Sequence, residues 1–85
     1  MSTQTEVTMD DLRELVADAA ELDPAEITDD AAFGAELEVD SLTTLEITMR
    51  LEKKYGIKIA EDELLEVTSL ASVRDLVAGK LAAAS

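Results

Sequence analysis

An all-α fold, a small four-helix bundle of three main helices and one short helix with a long loop between the first and second, is predicted by three observations. Apolar residues recur at helical spacing in segment after segment. Capping residues open those segments, and helix stops close them. The one alternating stretch, Ile57-Lys58-Ile59, is three residues long and has no partner strand.

The first helix is opened by Thr8, with Asp10 and Asp11 in the first turn, where the helix dipole favours negative charge. Leu12, Leu15, Val16 and Ala19 then fall at i, i+3, i+4 and i+7, which predicts an amphipathic helix to about Glu21. Asp23-Pro24 ends it. Residues 24–39 read as a connection whose sparse anchors are Ile27, Phe33, Leu37 and Val39, with Gly34 allowing a turn. Ile27 and Phe33 are expected to plug the core. Asp40 caps a second helix from Ser41 to about Tyr55, Lys53 and Lys54 suit its negative end, and Gly56 stops it. A short helix over Glu61 to about Glu66 carries Leu64 and Leu65. Thr68 or Ser69 caps the last helix, with Leu70, Val73, Leu76, Val77 and Leu81 at helical spacing before an alanine tail expected to fray. The domain is therefore expected over residues 8–83, between tails at 1–7 and 84–85.

Size and composition narrow the function. A chain of 85 residues buries only about 60–65% of its unfolded surface, so an enzyme-sized pocket is hard to enclose. There is no cysteine, which removes disulfides and thiolate chemistry and fits a cytoplasmic protein. No apolar run approaches the roughly 20 residues of a membrane span, and the Met1-Ser2-Thr3-Gln4-Thr5 start lacks a signal-peptide pattern. Twenty acidic residues stand against seven basic ones, a net charge of −13, and no lysine or arginine lies between Arg13 and Arg50. Such a field repels nucleic acid and anionic membranes and steers basic protein surfaces inward. Acids that merely keep a small domain soluble would give the same sum.

The second helix holds the most specific signal. At about 100° per residue, Ile47 and Leu51, flanked by Thr44 and Tyr55, form one apolar stripe. Leu42, Leu45 and Met49 form another, centred roughly 150° away. A bundle could bury both stripes between different neighbours, but the partner helices are short and ordinary. A Leu/Met patch rimmed by acids is what transient docking requires, and Met49 adds adaptability. Ser41, Glu46, Glu52 and Lys53 border this second stripe. An Asp-Ser pair at a helix start is common by itself. Here the hydroxyl is expected to point outward at the helix N-terminus, where an attached phosphate would meet unpaired backbone N–H groups, partly opposed by Glu38 and Asp40.

With these residues in place, the chain resembles the acyl carrier proteins over nearly its whole length. The resemblance is carried by Asp40-Ser41-Leu42 and by Leu51-Glu52-Lys53-Lys54-Tyr55-Gly56-Ile57-Lys58-Ile59 downstream at fitting spacing. Within that family it is most similar to the discrete carriers of type II (aromatic) polyketide synthases, through Thr8-Met9-Asp10-Asp11-Leu12-Arg13 and through Arg50-Leu51-Glu52 before Tyr55-Gly56. The resemblance implies a 4'-phosphopantetheine arm, taken from coenzyme A and attached to Ser41, that carries polyketide, malonyl or other acyl intermediates as thioesters. It implies that Asp40 caps the site and helps hold the metal used by the modifying transferase; the chain itself is expected to bind no metal. Leu42, Leu45, Glu46, Met49 and Glu52 match docking positions, and Arg50 matches a polyketide-type feature that contacts a ketosynthase or the bound chain. The implied partners are a phosphopantetheinyl transferase, a ketosynthase with its chain-length factor, a malonyl-transferring enzyme and a ketoreductase, all met by a monomer. Two residues depart from the pattern. Glu38 stands where carriers usually have glycine, so the loop is expected to run differently, and Ala60 stands where proline is common.

Three other readings compete. A fatty-acid carrier would share the attachment serine, but such carriers tend to have a small residue at Arg50 and phenylalanine at Tyr55. An enzyme using Ser41 as nucleophile fails on chemistry, because the chain has no histidine and no lysine near Ser41 in sequence. A passive acidic interaction or cation-buffering module could use Glu61-Asp62-Glu63 and Asp29-Asp30, yet no calcium-loop pattern is present.

Overall fold

The computed structural model describes residues 7–84, so the expected tails lie outside it apart from Val7 and Ala84. Three α-helices form the body: α1 (Met9–Ala20), α2 (Ser41–Tyr55) and α3 (Leu70–Ala84). Two 3-10 segments join them, Pro24–Glu26 inside the long loop and Glu61–Glu66 before α3. No strand occurs among the described residues, and Ile57-Lys58-Ile59 is a plain extended link.

The helix ends follow their capping chemistry. Thr8 accepts the Asp11 N–H at 3.2 Å, and Asp40 accepts the Thr43 N–H at 2.8 Å. Gly56 closes α2 at φ 66°, in the left-handed region that glycine enters without a steric cost. The first helix stops at Ala20, one residue short of expectation, because Glu21 itself takes the left-handed cap position at φ 59°. Ser69 rather than Thr68 caps α3: the Ser72 N–H donates to the Ser69 hydroxyl, and the Ser69 N–H donates back to the Ser72 hydroxyl. The alanine tail does not fray at its start, since α3 continues to Ala84. Val7 is also more than tail, packing partly buried against the core.

One core runs through the bundle. Leu12 and Val16 of α1, Ile47 and Leu51 of α2, and Leu70, Val73 and Val77 of α3 are fully buried. Ile27 and Phe33 plug the core from the loop as expected, and Val39 joins them, while Leu37 packs only partly buried. The loop is a fixed part of the fold. Phe33 N–H donates to the Thr68 carbonyl at 2.8 Å, Val39 N–H to the Phe33 carbonyl at 2.8 Å, and Ala71 N–H to the Asp29 carbonyl at 3.0 Å. Arg13 reaches from α1 to the Ile27 carbonyl at 2.9 Å and pairs with Asp29. Gly34 lies in the turn over 33–36 without a positive φ, so its special freedom is not used.

Tyr55 contributes its ring to the core, and its hydroxyl finds no hydrogen-bond partner among the described residues. Burial, and then the negative charge of Asp11, push its ionisation above the ordinary range. An unpaired buried hydroxyl costs stability that a phenyl ring of the same shape avoids. Tyr55→Phe is therefore expected to stabilise the fold by about 1 kcal/mol in urea denaturation, with the helical circular dichroism spectrum unchanged. A destabilised variant would mean that the hydroxyl has a partner.

Candidate functional site

The site is built at the N-terminus of α2. Asp40 has an extended backbone at ψ 178°, which ends the loop and turns its carboxylate onto the first helical turn. The Thr43 N–H, with its hydroxyl second, holds the Asp40 carboxyl below the ordinary value of 3.8. A carboxylate therefore stands beside Ser41 at neutral pH. Ser41, the first residue of α2, is exposed, and its hydroxyl has no hydrogen-bond partner among the described residues.

The two stripes of α2 separate as expected. Ile47, Leu51 and Tyr55 are buried, and Thr48 joins them, bonding back to the Leu45 carbonyl at 2.7 Å. On the opposite side Leu42 is 74% exposed, Leu45 44% and Met49 59%. These values decide against the alternative in which neighbouring helices cover both stripes.

Three expected docking residues have unequal freedom. Glu46 is exposed but shared: Arg50 donates to it at 2.8 Å and, with its other nitrogen, to Asp18 of α1 at 2.5 Å. Those carboxylates raise the Arg50 guanidinium further above its ordinary range. Arg50 is thus a strap between α1 and α2 rather than a free cation on the exposed ledge. Glu52 is half-buried and accepts the Ile59 N–H at 2.8 Å, while its carbonyl receives the Gly56 and Ile57 N–H groups. It holds the chain where it leaves α2.

The two departures noted in the sequence each sit in a backbone conformation that the usual residue could adopt. Glu38 has φ 57°, the left-handed conformation that a glycine would adopt without strain, so the loop keeps the glycine-like turn. Ala60 has φ −72°, already within the range of proline, and its N–H, which proline would lack, is taken by Glu63 at 2.7 Å.

A cleft of about 560 Å³ opens beside Ser41, between the start of α2, the loop residues Phe33 and Val39, and the Glu61–Glu66 segment through Leu64 and Leu65. Sequence reading missed Leu65 as a surface feature, although it is 81% exposed. The signal was present: a six-residue 3-10 segment cannot bury two adjacent leucines on one side.

Comparison with known proteins agrees with this geometry. The family model described as the phosphopantetheine attachment site matches residues 10–77. The polyketide-8 synthase acyl carrier protein 2 of Streptomyces avermitilis is 54% identical over 80 residues, covering 94% of this chain and 92% of that one. The chain belongs to the acyl carrier proteins. The acyl carrier protein of Thermosynechococcus vestitus is 31% identical over 80 residues, covering 94% of this chain and 98% of that one. The solution structure of the acetyl actinorhodin acyl carrier protein from Streptomyces coelicolor superposes with a TM-score of 0.76 at 34% identity, over 98% of this chain and all of that one.

Membership brings a covalently attached 4'-phosphopantetheine group. The residues at the start of α2 fit it: an exposed, uncommitted hydroxyl at a helix N-terminus, with open space beside it. No helix among the described residues is long and apolar enough to cross a membrane.

Two outcomes test this local structure. Because the Asp40 carboxyl is held below 3.8 in the fold, its ionised form contributes stability that is fully present above that pH and lost as pH falls through the lower folded value. Asp40→Asn should therefore melt below the parent chain at about pH 6, and the gap should narrow as pH falls below the ordinary carboxyl value of 3.8. Glu38→Gly should relieve the left-handed strain and raise stability by about 0.5–1 kcal/mol, measured by urea titration.

Proposed function

We propose that Ser41 carries the phosphopantetheine arm, and that the chain is a discrete carrier delivering polyketide or malonyl intermediates to the enzymes of a type II polyketide synthase. The observation that carries this reading is the exposed, unpartnered Ser41 hydroxyl beside the ledge of Leu42, Leu45 and Met49. The hydroxyl would take phosphopantetheine from coenzyme A as a phosphodiester, releasing the nucleotide and a proton, with Asp40 beside it to help hold the transferase's metal. The arm supplies a thiol for thioester carriage, chemistry that a chain without cysteine lacks.

The chain's own residues would present, orient and release. Leu42, Leu45 and Met49 offer apolar contact, and Glu46 offers charge to basic partners such as a phosphopantetheinyl transferase, a ketosynthase with its chain-length factor, a malonyl-transferring enzyme or a ketoreductase. Arg50 and Glu52 would act mainly by keeping α2 in place. Tethering raises the local concentration of substrate at each docked enzyme, and weak, steered docking lets partners exchange.

A carrier that lends no catalysis is supported by the surroundings of Ser41. No histidine exists, and Lys53 and Lys54 stand at the far end of α2, about 18 Å along the helix. The polyketide assignment rests on the similarity to the Streptomyces avermitilis carrier and on the Arg50 and Tyr55 positions. Similarity to general acyl carriers keeps fatty-acid synthesis as the second reading. Either role would place the chain in the cytoplasm as a monomer.

Intact mass spectrometry after incubation with coenzyme A and a broad-specificity phosphopantetheinyl transferase should show one added phosphopantetheine, absent in Ser41→Ala. Leu45→Arg should fold normally and slow that modification about tenfold or more. Retained mass gain in Ser41→Ala would move the attachment site elsewhere, and a melted Leu45→Arg would mean that the ledge is core.

A further inference from the structure

We propose that Met49 is a site of reversible oxidation by peroxide, and that its sulfoxide switches off docking at the α2 ledge while the fold stays intact. The proposal rests on the reading of that ledge as the surface that partner enzymes cover. The chain has three methionines and no cysteine, so its own sulfur is all thioether. Of the two methionines among the described residues, Met9 packs partly buried against the core, whereas Met49 is 59% exposed. A small oxidant dissolved in water therefore reaches the Met49 sulfur first.

The position of Met49 decides what its oxidation would do. It follows Leu45 by one helical turn and Leu42 by two, on the side of α2 opposite the buried Ile47 and Leu51. Oxidation there needs no local unfolding, and in the free chain the added oxygen is solvated. Under a docked partner the same oxygen is a strong acceptor in an apolar patch, and neither Leu42 nor Leu45 can donate a hydrogen bond to it. Covering it then costs free energy where covering the thioether returns it. The core never meets the changed group, so stability and docking are separated.

The surrounding charge selects the oxidant. With a net charge of −13 and Glu46 and Glu52 beside the stripe, an anionic oxidant is repelled, whereas neutral hydrogen peroxide is not. The sulfur lone pair attacks one peroxide oxygen, forming the S–O bond as the O–O bond breaks. The proton on the transferred oxygen passes to the departing hydroxide, which leaves as water. Sulfur is oxidised and peroxide reduced by the same electron pair, so no further reactant is needed. A methionine sulfoxide reductase, drawing on a thiol reductant, returns the thioether.

The experiment treats the parent chain and Met49→Leu with hydrogen peroxide, removes the excess with catalase, and measures transfer from coenzyme A by a phosphopantetheinyl transferase. Untreated Leu45→Arg runs beside them. Peptide mass spectrometry should place one added oxygen on Met49 before Met9 changes, with circular dichroism and melting unmoved. Met1 lies outside the described residues, so the peptide and not the whole mass makes that assignment. The oxidised parent should show a KM for the carrier raised about tenfold with kcat unchanged, because the ledge supplies binding common to ground and transition states. A sulfoxide reductase should restore the original KM. Met49→Leu should have the same KM before and after treatment, whatever its starting value. Met9 oxidised as fast as Met49, or a lowered melting temperature on oxidation, overturns the proposal. So does equal loss in treated Met49→Leu, which would place the damage at another residue. An oxidised parent within about twofold of the untreated chain, while Leu45→Arg transfers slowly, overturns the switch and leaves the ledge reading standing. If Leu45→Arg transfers as fast as the parent, the ledge reading itself fails, and this proposal falls with it.

Discussion

Burial of Ile47 and Leu51 is the contact on which the site depends. Both side chains are wholly enclosed against α1 and α3, and their position on α2 fixes the rotation of that helix. Once the rotation is fixed, geometry leaves no choice about the rest. Leu42, Leu45 and Met49 must face water, and Ser41 must begin the helix at its rim. The exposed ledge is the reverse side of the core contact, not a separate invention. Rotating α2 by one residue would drown the ledge and expose Ile47 together.

Electrostatics then hold α2 from both ends without covering the ledge. Asp40 ties its first turn, Glu52 ties the departing chain at Ile59, and Arg50 links its middle to Asp18 of α1. These groups lie at the edges of the exposed stripe or behind it. Exposed ion pairs contribute little individually. Their value here is positional: they use charges to fix orientation while leaving Leu42, Leu45 and Met49 exposed. With twenty acids and seven bases in the chain, basic side chains are scarce, and two of them, Arg13 and Arg50, are placed to strap α1 to other elements.

Local features were legible from sequence, and long-range ones were not. Thr8, Asp40 and Gly56 mark helix ends through contacts within a few residues, so they could be read directly. The two stripes of α2 follow from periodicity alone, as do Ile27 and Phe33 from being isolated apolar residues in a polar loop. The bridge from Arg50 to Asp18 could not be read, because the two lie thirty-two positions apart and the pair has no local signature. The bond from the Ile59 N–H to Glu52 was hidden for a similar reason, since the chain must bend back at Gly56 before that N–H comes within reach. Glu38 was expected to reroute the loop. The loop is pinned at Phe33 and Val39 by backbone hydrogen bonds, and Glu38 adopts the strained left-handed conformation between that anchor and Asp40.

That strain bears on how a small carrier stays exchangeable. A domain of this size has only a few kcal/mol of stability, yet it tolerates an exposed leucine ledge, a left-handed glutamate and an unpaired tyrosine hydroxyl. Each could be removed by a simple substitution, and each except the hydroxyl lies close to Ser41 in chain or space. Packing the ledge into the protein would gain stability and erase the surface proposed for docking. A carrier must release each enzyme as readily as it binds, which favours small apolar contacts rimmed by charge over a large dry interface. On the proposed docking role, the exposed leucines of α2 and the left-handed Glu38 near Ser41 belong to a surface left for another protein to cover.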